Sequence, residues 1–411
     1  LLFGIVRRTL YFFPRFQKRS AGLALAVALI WSVHPLQTES VTYLTQRCES
    51  LMGLFYLVTL YSVIRGAASV SPRRWYGAAV VFCALGMGTK AVMVTAPLTV
   101  LIYDRIFLAS SFREIIKKRK GLYLGLALTW LVLGLLLATT SYEDITTYGP
   151  IQYALSQPEV IVHYLRLAFV PSPLCLDYYW TPVTGFFQSL PAVLVIVSLI
   201  ALVVRAFFRR PPIGFCGLWF FLILAPTSSF FPLEDLAFEH RLYLPLAGVI
   251  VLCVLGGYEI LFAGRRKSGR GGVFGLAVPA VLILLLGLLT VDRNADYHSP
   301  IGIWRDVIRL RPENPRARNN LANLMLKRND TREAARLYRQ AIEVDPGYHP
   351  ADYNLANLRA GEGEFREAVR LYRRALEFEP KAVEVHNNLG VALYQLGEKE
   401  AARGHYRRAM A

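Results

Sequence analysis

The stretch "HPLQTESVTYLTQRCESL", residues 34–51, lies between two strongly apolar runs, "AGLALAVALIWSV" at 21–33 and "LMGLFYLVTLYSV" at 51–63. The runs on either side read as membrane helices, yet His34, Glu39, Arg47 and Glu49 fall between them. A polar group left unpaired in hydrocarbon costs several kcal/mol, so this segment either faces water or lines a protected cavity. Working outward, further apolar runs occur at about 75–87, 92–103, 122–138, 190–204, 213–225, 244–261 and 273–290. Several are shorter than the ~20 residues that cross a bilayer, so they extend into their flanks or sit partly within protein.

Composition agrees. The chain has 411 residues, 54% hydrophobic and 18% charged, too apolar for an ordinary soluble protein of that length. A formal net charge of +17 invites a nucleic-acid reading, but its placement argues otherwise. Residues 301–411 hold 20 basic and 15 acidic residues, leaving 26 and 14 in the first 300. There the cations cluster in five short loops, "RRTLYFFPRFQKR", "RGAASVSPRR", "FREIIKKRK", "RAFFRR" and "GRRKSGR". This is the pattern of cytoplasmic loops, and no nucleic-acid partner is expected. The alternate segments at 34–50, 88–91, 139–188 and 226–242 then fall outside, and they collect the acids Glu39, Glu49, Glu143, Asp144, Glu159, Asp177, Glu234, Asp235 and Glu239. A hairpin turning at "GMGTKA" keeps the basic loop at 112–120 inside. "PEVIVHYLRLAFV" at 158–170 is too short and polar to span and reads as an interfacial or re-entrant helix. Cys48 and Cys175 share the outer side under this topology, which leaves a disulfide open. Both ends read as cuts, the first helix being partial.

After the last apolar run a period of 34 appears, that of tetratricopeptide repeats. Pro312, Pro346 and Pro380 keep it, as do Ala334, Ala368 and Ala402, then Tyr338, Tyr372 and Tyr406, and Ala341, Ala375 and Ala409. Small Ala lets paired helices approach, the aromatic fills the gap to the next repeat, and Pro ends the second helix. Trp304 stands 34 residues before Tyr338, so "IGIWRDVIRLRP" reads as a lone capping helix. The expected fold is all-α: a polytopic transmembrane bundle over 1–292 with nine to ten membrane helices, a connector and capping helix over 293–312, and three repeats at 313–346, 347–380 and 381–411. Asn320, Asn354 and Asn388 recur at one position of the first helix of each repeat. Their amides suit an extended peptide backbone; the equal alternative is that they tie neighbouring helices together. The arrangement is similar to the asparagine ladder in the repeats of O-GlcNAc transferase, a similarity of repeat type only.

Each outer segment places ionisable residues at the end of an apolar run, and charges of both signs there are costly unless they pair or serve a site. Four blocks carry them: "HPLQTESVTYLTQRCESLMGLFYLVTLY", "TKAVMVTAPLTVLIYD", "LRLAFVPSPLCLDYYW" and "PTSSFFPLEDLAFEHRLYLPLAG". In this order, and followed by the repeats, they resemble the transmembrane-and-tetratricopeptide-repeat proteins, which in animals are protein O-mannosyltransferases of the endoplasmic reticulum and have bacterial relatives. The resemblance implies a multi-helix membrane glycosyltransferase working on the non-cytoplasmic face with a polyprenyl-phosphate sugar donor and a protein acceptor held by the repeats. It also implies a principal catalytic acid in an outer loop preceding residue 1. Within this chain, cations near the leaving phosphate are Arg47, Lys90 and Arg241, the catalytic candidates are Glu39, Glu49 and His240, and His34, Asp177 and Glu239 complete the cavity wall. Lys90-Ala91 departs from the Lys-Glu of bacterial relatives. No metal-ligand spacing appears among the seven His residues; a divalent cation bridging the donor phosphate is compatible with the chemistry but nothing demands one. The bland alternative pairs Arg47 with Glu49 and Glu239 with Arg241 as helix fasteners. At the level of function the alternative is a membrane-anchored scaffold for protein–protein interaction in the cell envelope. The short loops place the chain in a bacterial inner membrane with periplasmic repeats, or in the endoplasmic reticulum with lumenal repeats for a eukaryotic source.

Overall fold

A computed structural model describes residues 1–139, 148–262 and 271–410; the loop "GRRKSGR", Glu143 and Asp144 lie outside the described residues. The described residues are helical with no strand, and the chain divides into two compact units. The first comprises Leu1–Leu174 and Trp180–Ala295, the second Cys175–Tyr179 and Asp296–Ala411. The first unit runs α1 (Leu2–Tyr11), α2 (Pro14–Gln17), α3 (Ser20–Ser32), α4 (Thr38–Thr42), α5 (Arg47–Ala67), α6 (Pro72–Met87), α7 (Ala96–Tyr103), α8 (Phe112–Thr139), α9 (Pro150–Phe169), α10 (Phe186–Arg209), α11 (Pro211–Leu224), α12 (Pro245–Phe262) and α13 (Gly271–Asp296).

Proline sets many starts: α6, α9, α11 and α12 all begin with it, where its missing N–H costs nothing. The chain breaks after Met87 and restarts through the short turn Ala91–Thr95 before α7, so "GMGTKA" does turn between two helices. Among the described residues, five helical stretches are long and apolar enough to cross a bilayer: Leu44–Ala67, Ala91–Leu108, Phe112–Thr139, Phe186–Arg209 and Ala277–Asp296. A sixth arises if Ser20–Ser32 and Pro35–Thr42, bent by 58°, form one broken span. The other apolar helices, such as α6 (16 residues) and α11 (14 residues), are too short to cross alone. The apolar windows of α8, α10 and α13 are only 17%, 6% and 11% buried, leaving rows of Leu, Val and Ile that need hydrocarbon around them. This is a multi-pass membrane protein.

One expectation is corrected in length. The segment at 158–170 is part of α9, a helix of 20 residues with Pro158 inside it. Tyr153, Ser156, Gln157, Val160, Ile161, Tyr164 and Leu167 form one buried stripe at helical spacing, and that shared face carries the helix through the proline.

The second unit holds α14 (Pro300–Leu310) and three antiparallel pairs: α15 (Pro315–Lys327) with α16 (Thr331–Val344), α17 (His349–Gly361) with α18 (Phe365–Phe378), and α19 (Val383–Gln395) with α20 (Lys399–Met410). The buried Ala334, Ala368 and Ala402 sit where paired helices cross, and Tyr338 and Tyr372 fill the next gap. Each pair is joined by a residue in the left-handed region, Asn329 (φ 61°), Gly363 (φ 82°) and Gly397 (φ 83°), again 34 apart. Asn tolerates that conformation and Gly adopts it freely, which explains the otherwise unremarkable sequence "RND" at the first turn.

Candidate functional site

Where α3 ends, His34 caps a short turn over Pro35–Gln37 that leads into α4. Its Nδ1 accepts from Leu36 N at 3.3 Å and its Nε2 meets Ala168 O at 3.3 Å, which fixes the neutral Nε2–H tautomer. Glu39, in the first turn of α4, is 1% exposed, and the turn Glu39 packs against is Glu239–Leu242, immediately before α12. One carboxylate oxygen, Oε2, accepts from the His240 backbone N at 2.8 Å. The other, Oε1, accepts from His240 Nδ1 at 2.7 Å. The imidazole also stacks on Phe238, with ring centroids 5.0 Å apart. Two residues 201 apart in sequence are thus locked in one geometry, and the His240 Nε2 makes no hydrogen bond among the described residues. A carboxylate holding Nδ1–H leaves Nε2 as the basic nitrogen.

Buried Glu49 and half-buried Lys90 form a second pair between the first turn of α5 and the turn before Ala91–Thr95. The alternative in which Arg47 fastens Glu49 does not hold: two residues apart on a helix they face different ways, and Arg47 is exposed at the start of α5. Several contacts knit the elements carrying both pairs. Ser50 Oγ donates to Ser40 O at 2.5 Å, Trp31 Nε1 donates to Tyr243 O at 2.9 Å, and the Tyr56 hydroxyl meets Thr99 Oγ1 at 2.6 Å. Gly53 permits the approach: a Cβ there would stand 2.5 Å from the Tyr243 ring.

Arg241 departs from the expectation of a phosphate ligand. Its guanidinium is buried and engaged on Tyr153 Oη (3.3 Å), Thr227 O (3.1 Å), Leu236 O (2.9 Å) and Asp235 O (2.6 Å). Its planar fork holds the 227–236 loop closed through Nη1 and Nη2. Glu239 is buried in the same turn. Asp177 is also corrected: it belongs with the second unit, where its Oδ2 lies 3.2 Å from Arg316 Nε and its backbone O accepts from Asn314 Nδ2 at 3.2 Å. Cys48 and Cys175 are both free thiols, the latter donating to Asp177 O at 3.2 Å.

In the repeats, Asn354 Nδ2 donates to Asn319 Oδ1 at 2.8 Å, and Asn388 Nδ2 to Asn357 Oδ1 at 3.0 Å and Tyr353 Oη at 3.1 Å. These two side chains tie adjacent repeats together, the second of the two readings, whereas Asn320 stays half-buried without a hydrogen bond among the described residues. The sequence reading missed Asn319, Asn323 and Asn357; the last two accept from Tyr338 and Tyr372 Oη. It also missed Gln37 and Ser40, close to Glu39 in the chain, whose buried amide and hydroxyl atoms have no hydrogen-bond partner among the described residues. The run "QTES", polar between two apolar helices, is the signal that pointed there.

Residues 3–137 match the family model of dolichyl-phosphate-mannose-protein mannosyltransferases, and residues 293–349 and 353–411 match that of tetratricopeptide repeats. The chain is 25% identical to Protein O-mannosyl-transferase Tmtc3 of Drosophila melanogaster over 76% of its length, and 24% identical to Protein O-mannosyl-transferase F38B6.6 of Caenorhabditis elegans over 77%. In both matched segments, and in their order, the chain is similar to the transmembrane and tetratricopeptide-repeat proteins. It spans 39% and 45% of the length of those two relatives. The solved structure of MamA covers 39% of this chain at 16% identity with a TM-score of 0.26, and nothing rests on that likeness. Glu39, Arg47, Glu49 and Lys90 all lie inside the mannosyltransferase match, while His240 and Arg241 lie beyond it.

Proposed function

We propose that this protein transfers a sugar from a polyprenyl-phosphate donor to a hydroxyl of a protein acceptor, on the non-cytoplasmic face of the membrane. The observation that carries the reading is the buried Glu39–His240 pair, which presents Nε2 unpartnered at the polar ends of the helices. His240 Nε2 takes the acceptor hydroxyl proton as the hydroxyl oxygen bonds to the anomeric carbon and the sugar–phosphate bond breaks. Glu39 steadies the imidazolium. Lys90 and the exposed Arg47 supply positive charge for the leaving phosphate; Arg241, bonded to the carbonyls of Thr227, Asp235 and Leu236, shapes the loop instead. The short basic loops suit a bacterial inner membrane with the repeats in the periplasm.

The experiment is transfer by the full chain in nanodiscs, with a polyprenyl-phosphate mannose and a Ser/Thr peptide. His240→Asn is expected to lower turnover by about 10²–10⁴-fold with little change in donor binding. Transfer that survives His240→Asn unchanged, or a full chain that transfers nothing from any polyprenyl-phosphate sugar, overturns the reading. The scaffold alternative is favoured by one observation, that Asn354 and Asn388 are occupied within the solenoid. It requires partner capture to proceed undisturbed in the same variant and no transfer in the parent.

A further inference from the structure

At the other end of the first unit, a cavity of about 860 Å³ opens between α1, α5, α11 and α12. That is at the upper end of the ~300–1,000 Å³ typical of ligand pockets. Its wall is apolar, formed among others by Leu10, Phe16, Leu60, Trp219, Val251 and Leu255. Its mouth is not: Arg15, Arg210 and Glu259 line it there. Arg15 Nη1 pairs with Glu259 Oε1 at 3.8 Å, too far for a hydrogen bond, and among the described residues that oxygen has no hydrogen-bond partner. Arg15 and Arg210 are exposed at the rim, the former stacked 4.5 Å over Phe16. The mouth is separated from His240 by most of the length of α12, 18 residues or ~27 Å of helix, so it is not part of the polar site above.

An apolar slot between membrane helices, with two guanidiniums and one unsatisfied carboxylate oxygen at its entrance, has the charge pattern of a zwitterionic amine-bearing headgroup attached to a hydrocarbon chain. A purely anionic lipid would satisfy the arginines and leave Glu259 repelled. A quaternary ammonium has no N–H for the buried oxygen. We propose that the cavity holds an acyl chain of an ethanolamine phospholipid, its phosphate on Arg15 and Arg210 and its ammonium donating to Glu259 Oε1.

The test is lipid retention by the full chain, exchanged into nanodiscs of equal phosphatidylethanolamine, phosphatidylglycerol, phosphatidylcholine and polyprenyl phosphate and then read by native mass spectrometry. Phosphatidylethanolamine is expected to be retained about tenfold over each of the others, the effect of one charge-assisted hydrogen bond. Glu259→Gln is expected to abolish that preference. Gly256 lines the cavity and a Cβ there meets nothing within 4 Å, so Gly256→Phe is expected to displace every lipid. Gly257→Phe, equally open but off the lining, is the folding control and is expected to retain the lipid. Equal retention of the four lipids, a preference for polyprenyl phosphate or phosphatidylglycerol, or a preference that survives Glu259→Gln overturns the proposal. None of these readouts depends on transfer activity.

Discussion

The two units are held by opposite kinds of contact. In the membrane unit the polar locks join residues far apart in the chain, Glu39 with His240 over 201 residues and Trp31 with Tyr243 over 212. In the solenoid the ties are local and repeat: Tyr372 to Asn357 over 15 residues, and Asn354 to Asn319 over 35. A lipid-facing bundle gains little by packing Leu against Leu when lipid is equally apolar, so specific polar pairs and close backbone approaches carry its specificity. A water-exposed solenoid gains by burial at every crossing, and its hydrogen bonds only refine the register.

That contrast can be broken by removing one lock from the first unit. Glu39→Ala leaves the buried His240 ring and amide without their acceptor and is expected to lower stability by about 3 kcal/mol, seen as loss of cooperative thermal unfolding of the full chain in detergent. A change that leaves unfolding unaltered would mean the pair serves chemistry alone. Next in size is a backbone approach. A Cβ at Gly214 would stand 2.3 Å from the Phe207 Cα, so Gly214→Val forces α10 from α11, with an expected cost of about 1–3 kcal/mol in the same assay.

In the solenoid the effects are smaller and stay local. Tyr372→Phe removes the donor to Asn357 and is expected to cost about 1 kcal/mol, with hydrogen exchange faster in α17 and α18 and unchanged in α5. Smallest is a pH effect. His405 Nδ1 lies 2.9 Å from His386 Nδ1, and burial, then the nearby His386, Arg408 and Arg373, hold its pKa below the ordinary value. A base whose folded pKa is depressed stabilises fully above its unfolded value, ~6.5, and loses that contribution as pH falls toward the folded one. Exchange in α19 and α20, corrected for intrinsic rates, is therefore expected to be faster at pH 5.5 than at 7.5, and His405→Gln is expected to remove the difference.

Legibility followed the same divide. Period 34 in Pro, Ala and Tyr located the helix pairs because each repeat solves its packing within about one period. The left-handed turn at Asn329, however, was visible only once its register with Gly363 and Gly397 was seen in the backbone. In the membrane unit, apolar runs located the helices, but α9 was cut short because Pro158 concealed a stripe that starts at Tyr153. That Arg241 bonds the 227–236 loop and that Asp177 joins the second unit was not legible, because a charged residue's partner is not written in its own stretch of sequence.

Composition and spacing alone determined that this chain is all-helical, that its first part needs hydrocarbon, and that its last part is a tetratricopeptide solenoid, since those follow from periodicities confined to single helices or neighbouring pairs. Only the tertiary structure decided which charges meet. Glu39 reaches His240, Glu49 takes Lys90 rather than Arg47, and among the described residues Glu259 keeps an oxygen without a hydrogen bond at the charged mouth of an apolar cavity. The physical reason is that a buried charge is stabilised by whichever partner lies within a few ångströms, and that proximity is set by how helices distant in sequence pack together.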